Sequence, residues 1–342
     1  RLTEKKEQLD KLRPLPKELE QSLDDWLRVE LTYSSNAIEG NTLSRIETAE
    51  VIERGVNAVI PNKSLKDQLE AINHAKALDF IKKLARFAAR RADKRKSHQY
   101  LTEGDIKEIH KTILTGIDDA WAGKYRLSEI FIRGSDAEFP RPRAVPYKMQ
   151  EFIQWLEGQQ DIHPARIAAD AHFKLVSIHP FMDGNGRAGR LLMNLILIMH
   201  GYPMAVIRNE DRVQYLATFD QARKKNMQPF YAIIETAVER SLDVYILAAK
   251  GEKPALSPFT KSLTTATDKK FLKIGELAKE TGETLHTIRH WTEKGLLVVA
   301  EHTSAGYQLY DRSMVERAKE IRRLQRTERL SIDEIRNKLE SK

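Results

Sequence analysis

A run of twelve residues, 179 to 190, carries side chains that suit the handling of phosphate. It reads HPFMDGNGRAGR and is followed by a long apolar stretch. His179 is a candidate base for proton transfer. Asp183 is a hard oxygen ligand of the kind that divalent cations such as Mg²⁺ prefer. This half of the run therefore predicts proton transfer beside a metal-bound anion.

The second half of the run supplies donors for an anion. Gly184, Asn185 and Gly186 form a turn in which backbone amides can approach an anion closely. Arg187 and Arg190 add forked cationic donors that match phosphate oxygens. The sequence after Gly186 has the pattern of a helix, so the turn also brings a helix N-terminus to this place. Together these residues predict a nucleotide-polyphosphate site built around a histidine.

The flanking sequence predicts the elements that position this site. Apolar residues recur with the helical period, and helices are expected over 146–158, 165–178, 187–200, 210–224 and 228–249. The second of these should end at His179, because Pro180 cannot continue the helical hydrogen bonds. We expect Phe181 to be a buried anchor of the turn. His172 has no metal-ligand spacing around it, which favours a core histidine.

Composition sets limits on the class of protein. The 342 residues include 41% hydrophobic and 31% charged residues, and no cysteine. The lack of cysteine excludes disulfides and thiolate metal sites, and we expect a cytoplasmic location. No apolar run reaches membrane-spanning length, so no membrane partner is expected. The basic run 82–96 is interpreted as a solvated helix face that continues into a loop rather than as a nucleic-acid patch.

The chain is expected to divide at residues 253–270, which are rich in Pro, Ser, Thr and Lys and predict a linker. Upstream we expect an N-terminal helical region over 1–100 and a core over 101–252. Downstream lies a module over 271–342, with 14 Lys and Arg against 12 Asp and Glu. A strand pattern near 124–145 predicts a short hairpin followed by an extended loop.

The run 179–190 resembles the Fic family signature, HxFx(D/E)GNGRxxR, at every specified position. So complete a match is far more specific than a lone glycine-rich loop. The resemblance implies a mainly α fold: a Fic-fold helical bundle with a short β-hairpin flap, followed by a small winged helix-turn-helix domain. The catalytic core would lie over 101–252. The flap, which clamps a target chain in the family, would correspond to about Leu127 to Pro142.

Fic-family proteins typically transfer AMP from ATP to a hydroxyl of a target protein. The resemblance implies that His179 deprotonates the acceptor hydroxyl of Ser, Thr or Tyr. Asp183 would hold Mg²⁺ between the α- and β-phosphates of ATP. Arg187 would stabilise charge on the phosphates, while Arg190 would hold the γ-phosphate. The three residues of the turn would cradle phosphate oxygens: Gly184, Asn185 and Gly186.

The residue Tyr215 falls near the place where the family lines its adenine pocket. Packing between helices is an equal alternative for this side chain. Phosphoryl-type transfer depends mostly on positioning and charge neutralisation, which agrees with the roles that the resemblance implies.

A second motif lies near the N-terminus, where residues 35–40 read SNAIEG. It resembles the family's inhibitory motif, (S/T)xxxE(G/N). Ser35 is a candidate helix N-cap, and Glu39 lies one helical turn further on. In the family this glutamate pairs with the second signature arginine, here Arg190, and competes with phosphate for the same fork. It stays open whether Glu39 is a brake, a residue that hydrolyses the AMP–protein bond, or both.

Residues 271–339 resemble a winged-helix module of the MerR type. Two short amphipathic faces, 274–278 and 285–291, are joined by a turn at Gly282. Gly306 is expected to turn the wing, and Leu324 to Leu339 to add two further helical stretches. If the module binds DNA, four residues would make the contacts: Arg289 and His290 at base edges or phosphates, and Lys294 and Arg312 at the backbone. A net charge of only +2 keeps a protein-docking or dimerising role open.

Three hypotheses for function follow. The first is a Mg²⁺- and ATP-dependent protein adenylyltransferase, autoinhibited by Glu39, that acts on a protein with a modifiable hydroxyl. The second is a nucleotide-sensing, DNA-binding transcriptional regulator. The third is a Fic enzyme that uses another nucleotide donor or catalyses deAMPylation. An intact His179 and Asp183 favour an enzyme, because a sensor can bind phosphate with glycines and arginines alone. A homodimer is a further predicted partner.

Overall fold

The computed structural model describes residues 1–91, 101–131, 137–252, 271–302, 308–328, 330 and 332–340. The chain separates into two compact units, Arg1–Pro258 and Phe259–Lys342, and the boundary between these ranges falls within the stretch expected to be a linker. That stretch itself, 253–270, lies outside the described residues. The finer division of the first unit at residue 100 stays a prediction.

The described part of the first unit is built from α-helices. They are α1 (Leu2–Leu12), α2 (Lys17–Ile38), α3 (Arg45–Arg54), α4 (Leu65–Arg91), α5 (Glu103–Leu114), α6 (Val145–Glu157), α7 (Pro164–Ile178), α8 (Asn185–Met199), α9 (Arg212–Arg223) and α10 (Gln228–Ala249). The five helices expected between residues 146 and 249 are confirmed to within two residues at each end. None of the described helices has the length and apolar content needed to cross a bilayer.

Helix α8 lies at the centre of this unit and packs against α4, α5 and α7. Thirteen of its 15 residues are buried, so the helix is enclosed by the bundle along nearly its whole length. The side-chain amide of Asn194, in the middle of α8, is hydrogen-bonded to the backbone of Ala205. The N–H of Ala205 donates to Oδ1 at 2.7 Å, and Nδ2 donates to the Ala205 carbonyl at 3.2 Å. The predicted phosphate turn therefore sits at the start of the most enclosed helix of the fold.

Close packing of α7 on α8 brings the two halves of the signature together. A Cβ added at Gly189 would lie 2.7 Å from Cδ2 of His172, so a larger residue at this crossing would push the helices apart. The chain leaves α7 at residue 179 and enters α8 at residue 185, within one short loop. The candidate base and the phosphate turn are thus fixed by the same pair of helices.

Segment 124–145 differs from the prediction of a hairpin. Its described residues, 124–131 and 137–145, contain no strand, and residues 132–136 lie outside the described ranges. The physical reason is visible at its ends, where the carbonyls of Ser128 and Pro140 accept hydrogen bonds from the side chain of Arg126 rather than from a partner strand. The described part of the flap is an extended loop.

The basic run 82–96 begins as the last part of α4, and its residues 92–96 lie outside the described ranges. Lys82 is 18% exposed and pairs with Asp24 of α2 at 3.2 Å. The first lysine of the run is therefore engaged in the helical bundle, and the interpretation of the run as a solvated helix face stays a prediction.

The described part of the second unit contains a three-stranded sheet and four helices. Its elements are β1 (Phe271–Lys273), α11 (Ile274–Thr281), α12 (Leu285–Glu293), β2 (Val299–His302), β3 (Gln308–Asp311), α13 (Ser313–Thr327) and α14 (Ile332–Glu340). The strand order is β1-β3-β2, antiparallel, and Tyr310 in the central strand pairs with Leu272 and Val299. The expected turn residue Gly282 ends α11 in the left-handed region, with φ of 71°.

The core of this unit confirms most of the expected apolar faces and corrects two details. Leu277, Ile288 and Trp291 are buried against each other, but Leu285 is 46% exposed and lies outside the core. Helix α13 begins at Ser313 rather than near Leu324, because its buried face already includes residues 315, 318 and 321. The expected wing residue Gly306 lies outside the described residues.

Candidate active site

His179 ends α7 in the left-handed conformation, with φ of 49° and ψ of 59°. Its backbone N–H donates to the Leu175 carbonyl at 2.9 Å, and its Nδ1 lies 3.2 Å from the Val176 carbonyl. Since a carbonyl only accepts, Nδ1 carries the ring proton and Nε2 keeps its lone pair. Burial lowers the pKa of His179 to about 4, so the ring is neutral at pH 7. The residue is in the form that a general base requires.

His110 of α5, which was not expected from the sequence, supports the phosphate turn. Nε2 of His110 is 2.9 Å from the Asp183 carbonyl, and the Gly123 N–H donates to Nδ1 at 3.0 Å. These partners fix one tautomer, with the proton on Nε2. The ring stacks on Phe181 at 3.6 Å between centroids, and burial lowers the pKa of His110 to about 4. Neutral His110 therefore holds the turn in place through its hydrogen bond to the Asp183 carbonyl and its stacking on Phe181.

The turn is closed by Asn185, whose side chain lies inside the loop. Its Oδ1 accepts from the Phe181 N–H at 3.0 Å, and its Nδ2 donates to the Phe181 carbonyl at 2.9 Å. Phe181 has no exposed surface, which confirms its expected role as an anchor. Gly184 adopts φ of 77°, and a Cβ there would meet Ile113 at 3.1 Å. In this arrangement Asn185 shapes the turn, and only its backbone N–H is available to a phosphate.

Asp183 is the most accessible charged group of the turn, with a side chain 60% exposed. Its Oδ1 accepts from the Gly184 N–H at 2.6 Å, and its Oδ2 lies 3.4 Å from Nη2 of Arg187. Among the described residues, no three His, Cys, Asp or Glu side chains converge on a metal position. Mg²⁺ in phosphate-transfer sites is usually held by one or two carboxylates together with substrate phosphates and water. One exposed carboxylate beside a phosphate turn fits that kind of site.

Arg187 is buried, with 2% of its side chain exposed. Its Nη1 lies 3.1 Å from Oε1 of Glu70 on α4 in an ion pair without a hydrogen bond, and its Nε has no hydrogen-bond partner. The other carboxylate oxygen of Glu70 accepts from Nδ2 of Asn41 at 2.9 Å. Arg187 therefore links the metal-ligand candidate Asp183 to α4. Neither Glu70 nor Asn41 was expected from the sequence.

The two motifs meet at Arg190, which is 5% exposed. Its Nη2 donates to Oε1 of Glu39 at 2.7 Å and to the Ser35 carbonyl at 2.8 Å. Its Nε donates to the Ser35 hydroxyl at 2.9 Å. A Cβ added at Gly186 would overlap the Glu39 carboxylate. The Glu39 carboxylate thus lies directly against the turn at Gly186.

The position of Ser35 corrects one expectation. The residue is not a helix N-cap, because α2 continues to Ile38 and Glu39 follows as the residue that ends it. The apolar periodicity of α2 extends the helix through this stretch, and the Ser35 hydroxyl accepts a hydrogen bond from Arg190. Nε of Arg212 donates to the Ile38 carbonyl at 2.6 Å and so stabilises the end of α2 next to Glu39.

A cavity of about 360 Å³ opens beside these groups, and Glu39, His179, Gly186 and Arg190 are among its lining residues. Its size lies in the range of small-molecule sites. Tyr215 contributes to the wall but is only 1% exposed, and its hydroxyl lies 3.0 Å from Nε2 of His172. His172 has no exposed surface, which confirms a core histidine. The geometry of Tyr215 is that of a packing residue at the cavity wall, and an adenine contact stays a prediction.

The residues expected to contact DNA are distributed over the second unit. Arg289 and Lys294 are exposed and His290 is half-buried, all on or just after α12. Arg312 is half-buried and pairs with Glu280 at 3.3 Å. Two cations are therefore available at the surface, whereas Arg312 is engaged within the unit.

A helical bundle that surrounds one helix N-terminus with a neutral histidine, a carboxylate and two buried arginines defines a phosphate-directed site of the Fic type. Residues 100–197 match the sequence model described as the Fic/DOC family. The fold resembles a Fic domain containing signaling protein from Bacteroides thetaiotaomicron, with a TM-score of 0.66 and 32% identity over 74% of this chain and 98% of that one. The chain belongs to the Fic/DOC family.

Two further relatives extend the comparison. The structure of Fic-1 (residues 134–508) from C. elegans has a TM-score of 0.63 and 31% identity, and the match covers 73% of this chain and 72% of that one. The Protein adenylyltransferase Fic of Nematostella vectensis is 36% identical over 240 residues, which cover 70% of this chain. The chain spans about half the length of that relative, 53%. Residues 272–342 match the model of the MerR HTH family regulatory protein.

Proposed function

We propose that this chain is a protein adenylyltransferase that transfers AMP from ATP to a Ser, Thr or Tyr hydroxyl of a target protein. The observation that carries the proposal is the neutral His179, with a free Nε2, at the edge of the cavity that also contains Arg190 and the phosphate turn. The relative from Nematostella vectensis that bears the name Protein adenylyltransferase Fic adds support.

The proposed reaction needs one base and a set of phosphate contacts. Nε2 of His179 takes the proton of the target hydroxyl, and the hydroxyl oxygen forms a bond to the α-phosphorus of ATP. The bond from that phosphorus to the oxygen bridging the β-phosphate breaks, and pyrophosphate leaves. The negative charge of a bound nucleotide favours the protonated imidazole, so it raises the pKa of His179 from about 4 towards neutrality as the proton arrives.

The phosphate contacts follow from the geometry of the turn. Asp183 would hold Mg²⁺, which neutralises phosphate charge when bound. The backbone amides of Gly184, Asn185 and Gly186 and the N-terminus of α8 would face the phosphate oxygens. Arg190 would hold the γ-phosphate once its fork is free. Preorganised donors of this kind stabilise developing charge without rearrangement during the reaction.

We also propose that the enzyme is autoinhibited by Glu39. Its carboxylate accepts from Arg190 at 2.7 Å and covers Gly186, so it excludes a phosphate from both positions. Removal of AMP from a modified target, with Glu39 assisting water, is the alternative within the same site. A different nucleotide donor is a further alternative. The cavity and the two arginines, Arg187 and Arg190, suit a nucleoside triphosphate, which supports ATP as the donor.

The position of the transferred label tests the proposed reaction. Protein and cell lysate are incubated with Mg²⁺ and with ATP labelled at either the α- or the γ-phosphate. We expect protein-bound label from α-labelled ATP and none from γ-labelled ATP, because pyrophosphate is the leaving group. Label from the γ-phosphate would indicate phosphate transfer. No labelling with any nucleoside triphosphate would favour the nucleotide-sensor hypothesis.

DNA binding by the second unit is a separate proposal, supported by the match to the MerR HTH model and by the exposed Arg289 on α12. In a mobility-shift assay with the full chain, Arg289→Ala is expected to weaken DNA binding about tenfold, as for the loss of one specific base contact. The control is Lys319→Ala, because Lys319 is exposed on α13 and pairs with Glu316. Equal binding by all three proteins would exclude Arg289 from a DNA interface.

A homodimer and a cytoplasmic location stay predictions.

A further inference from the structure

Arg126 is buried behind His179 and contacts three backbone carbonyls. Its residue exposure is 0%. Nε donates to the His179 carbonyl at 2.8 Å, and Nη1 donates to the Ser128 carbonyl at 3.0 Å. Nη2 donates to the carbonyl of Pro140. The backbone N–H of Arg126 also donates to the Pro180 carbonyl at 2.9 Å. One side chain thus joins the end of α7 to both ends of the extended loop that follows Arg126.

Arg126 also acts on the ring of His179, through Pro140 and the neighbouring Phe139. Pro140, held by Arg126, follows Phe139, and the Phe139 ring lies 4.6 Å from the imidazole of His179 between centroids. The left-handed backbone of His179 is uncommon for a residue other than glycine. Such a conformation persists only when the surrounding contacts enforce it. Arg126 supplies these contacts from two sides.

The charge of Arg126 is an unusual choice for holding a loop. Among the ion pairs of the described residues, none includes Arg126, so its direct partners are carbonyl dipoles. Burial without an ion-paired carboxylate carries a desolvation penalty, which lowers the pKa of Arg126 although the charge of Glu129 acts against it. Charged donors, however, make shorter and stronger hydrogen bonds to carbonyls than neutral ones, and a planar fork fixes their directions. Arg126 therefore places the three carbonyls precisely, at a cost in folding stability.

We propose that Arg126 is a positioning residue for the transfer step, which fixes His179 relative to the backbone at Ser128 and Pro140. The inference rests on the proposed function, in which His179 accepts the proton of the target hydroxyl. Arg126 is not among the residues that line the cavity beside Arg190 and the phosphate turn. Loss of Arg126 should therefore affect turnover more than the binding of ATP.

The kinetic test uses the Glu39→Gly background, in which transfer is expected to be fastest. We expect Arg126→Ala to lower kcat about 100-fold, since a misplacement of about 1 Å costs that much. The KM for ATP is expected to stay within about threefold, because the ground-state contacts of the nucleotide are untouched. Arg126→Lys keeps the charge but not the fork, so it should recover little activity. Added guanidinium ion should restore part of the rate of Arg126→Ala.

A matched control lies two residues away. Lys124 is exposed and donates to the Ala120 carbonyl, so Lys124→Ala removes a cation from the same loop without touching His179. It should react at the parent rate. If kcat, ATP binding and melting temperature all fall together in Arg126→Ala, and guanidinium restores nothing, the residue is structural and the inference is wrong.

Amide hydrogen exchange gives a second measurement that does not depend on nucleotide chemistry. In Arg126→Ala, the amides of the non-proline residues in 137–141 and 179–181 should exchange about tenfold faster or more, while Lys124→Ala should match the parent. Unchanged exchange would overturn the inference. If exchange rises but neither the wild type nor Glu39→Gly transfers AMP, the proposed function fails and the positioning role of Arg126 stands.

Discussion

Replacing Glu39 with glycine is expected to raise the rate of AMP transfer by about 10- to 100-fold, because it removes a hydrogen bond to a charged group worth about 1.5–3 kcal/mol. The bond in question joins Glu39 to the buried Arg190 at 2.7 Å. Its loss exposes the fork of Arg190 and the space over Gly186. Labelling with α-labelled ATP, at ATP concentrations below KM, measures the change.

The matched variant is Glu39→Gln, which keeps the size of the side chain and one hydrogen bond but removes the negative charge. We expect a rate between those of the wild type and Glu39→Gly. If Glu39 instead assists the removal of AMP, Glu39→Gly will also slow the release of AMP from a target modified beforehand. Equal labelling by all three proteins would show that Glu39 is not a brake.

Replacing His179 with alanine is expected to lower AMP transfer by about 10² to 10⁴, the usual contribution of a general base. The reason is that Nε2 of His179 carries the one unpaired lone pair of the ring, since Nδ1 is directed at the Val176 carbonyl. ATP binding should be nearly unchanged, because the phosphate turn and Arg190 do not contact the ring. Labelling in the Glu39→Gly background measures transfer, and calorimetry measures the binding of MgATP.

The matched variant here is His179→Asn. Asparagine tolerates the left-handed conformation that His179 adopts, so it keeps the backbone while removing the base. We expect it to be as inactive as His179→Ala. Substantial transfer by either variant would mean that another group, or water, takes the proton.

The parts of the site that could be predicted are those that lie close together in the sequence. The turn and the start of α8 are contiguous, and the apolar period of 165–178 and 187–200 fixed both flanking helices. The link from Glu39 to Arg190 was accessible only through the family motif, because the two residues are 151 positions apart. Nothing in their local sequence indicates that they meet.

The parts that could not be predicted depend on tertiary partners. His110 and Glu70 lie on helices far from the signature in sequence, and each is a polar residue whose burial breaks no periodic pattern. Ser35 has the propensity of an N-cap, yet Arg190 takes its hydroxyl and the helix continues past it. At the expected hairpin, the side chain of Arg126 takes carbonyls that a strand pairing would have used. At Ser35 and at the expected hairpin, an arginine side chain outweighs the local preference of the sequence.

The two hydrogen bonds from Arg190 to Ser35 do not involve Glu39. When the Glu39 side chain turns away, the guanidinium therefore keeps its orientation, and no helix has to refold. Only 40% of the Glu39 side chain is exposed, but that fraction allows a rotamer change at the solvent boundary. On the proposal that Glu39 is autoinhibitory, occupancy of the fork would be a competition between a tethered carboxylate and a diffusing nucleotide. The apparent affinity for ATP would then be the intrinsic affinity multiplied by the fraction of time that the fork is open, so activity would follow the nucleotide concentration around the protein.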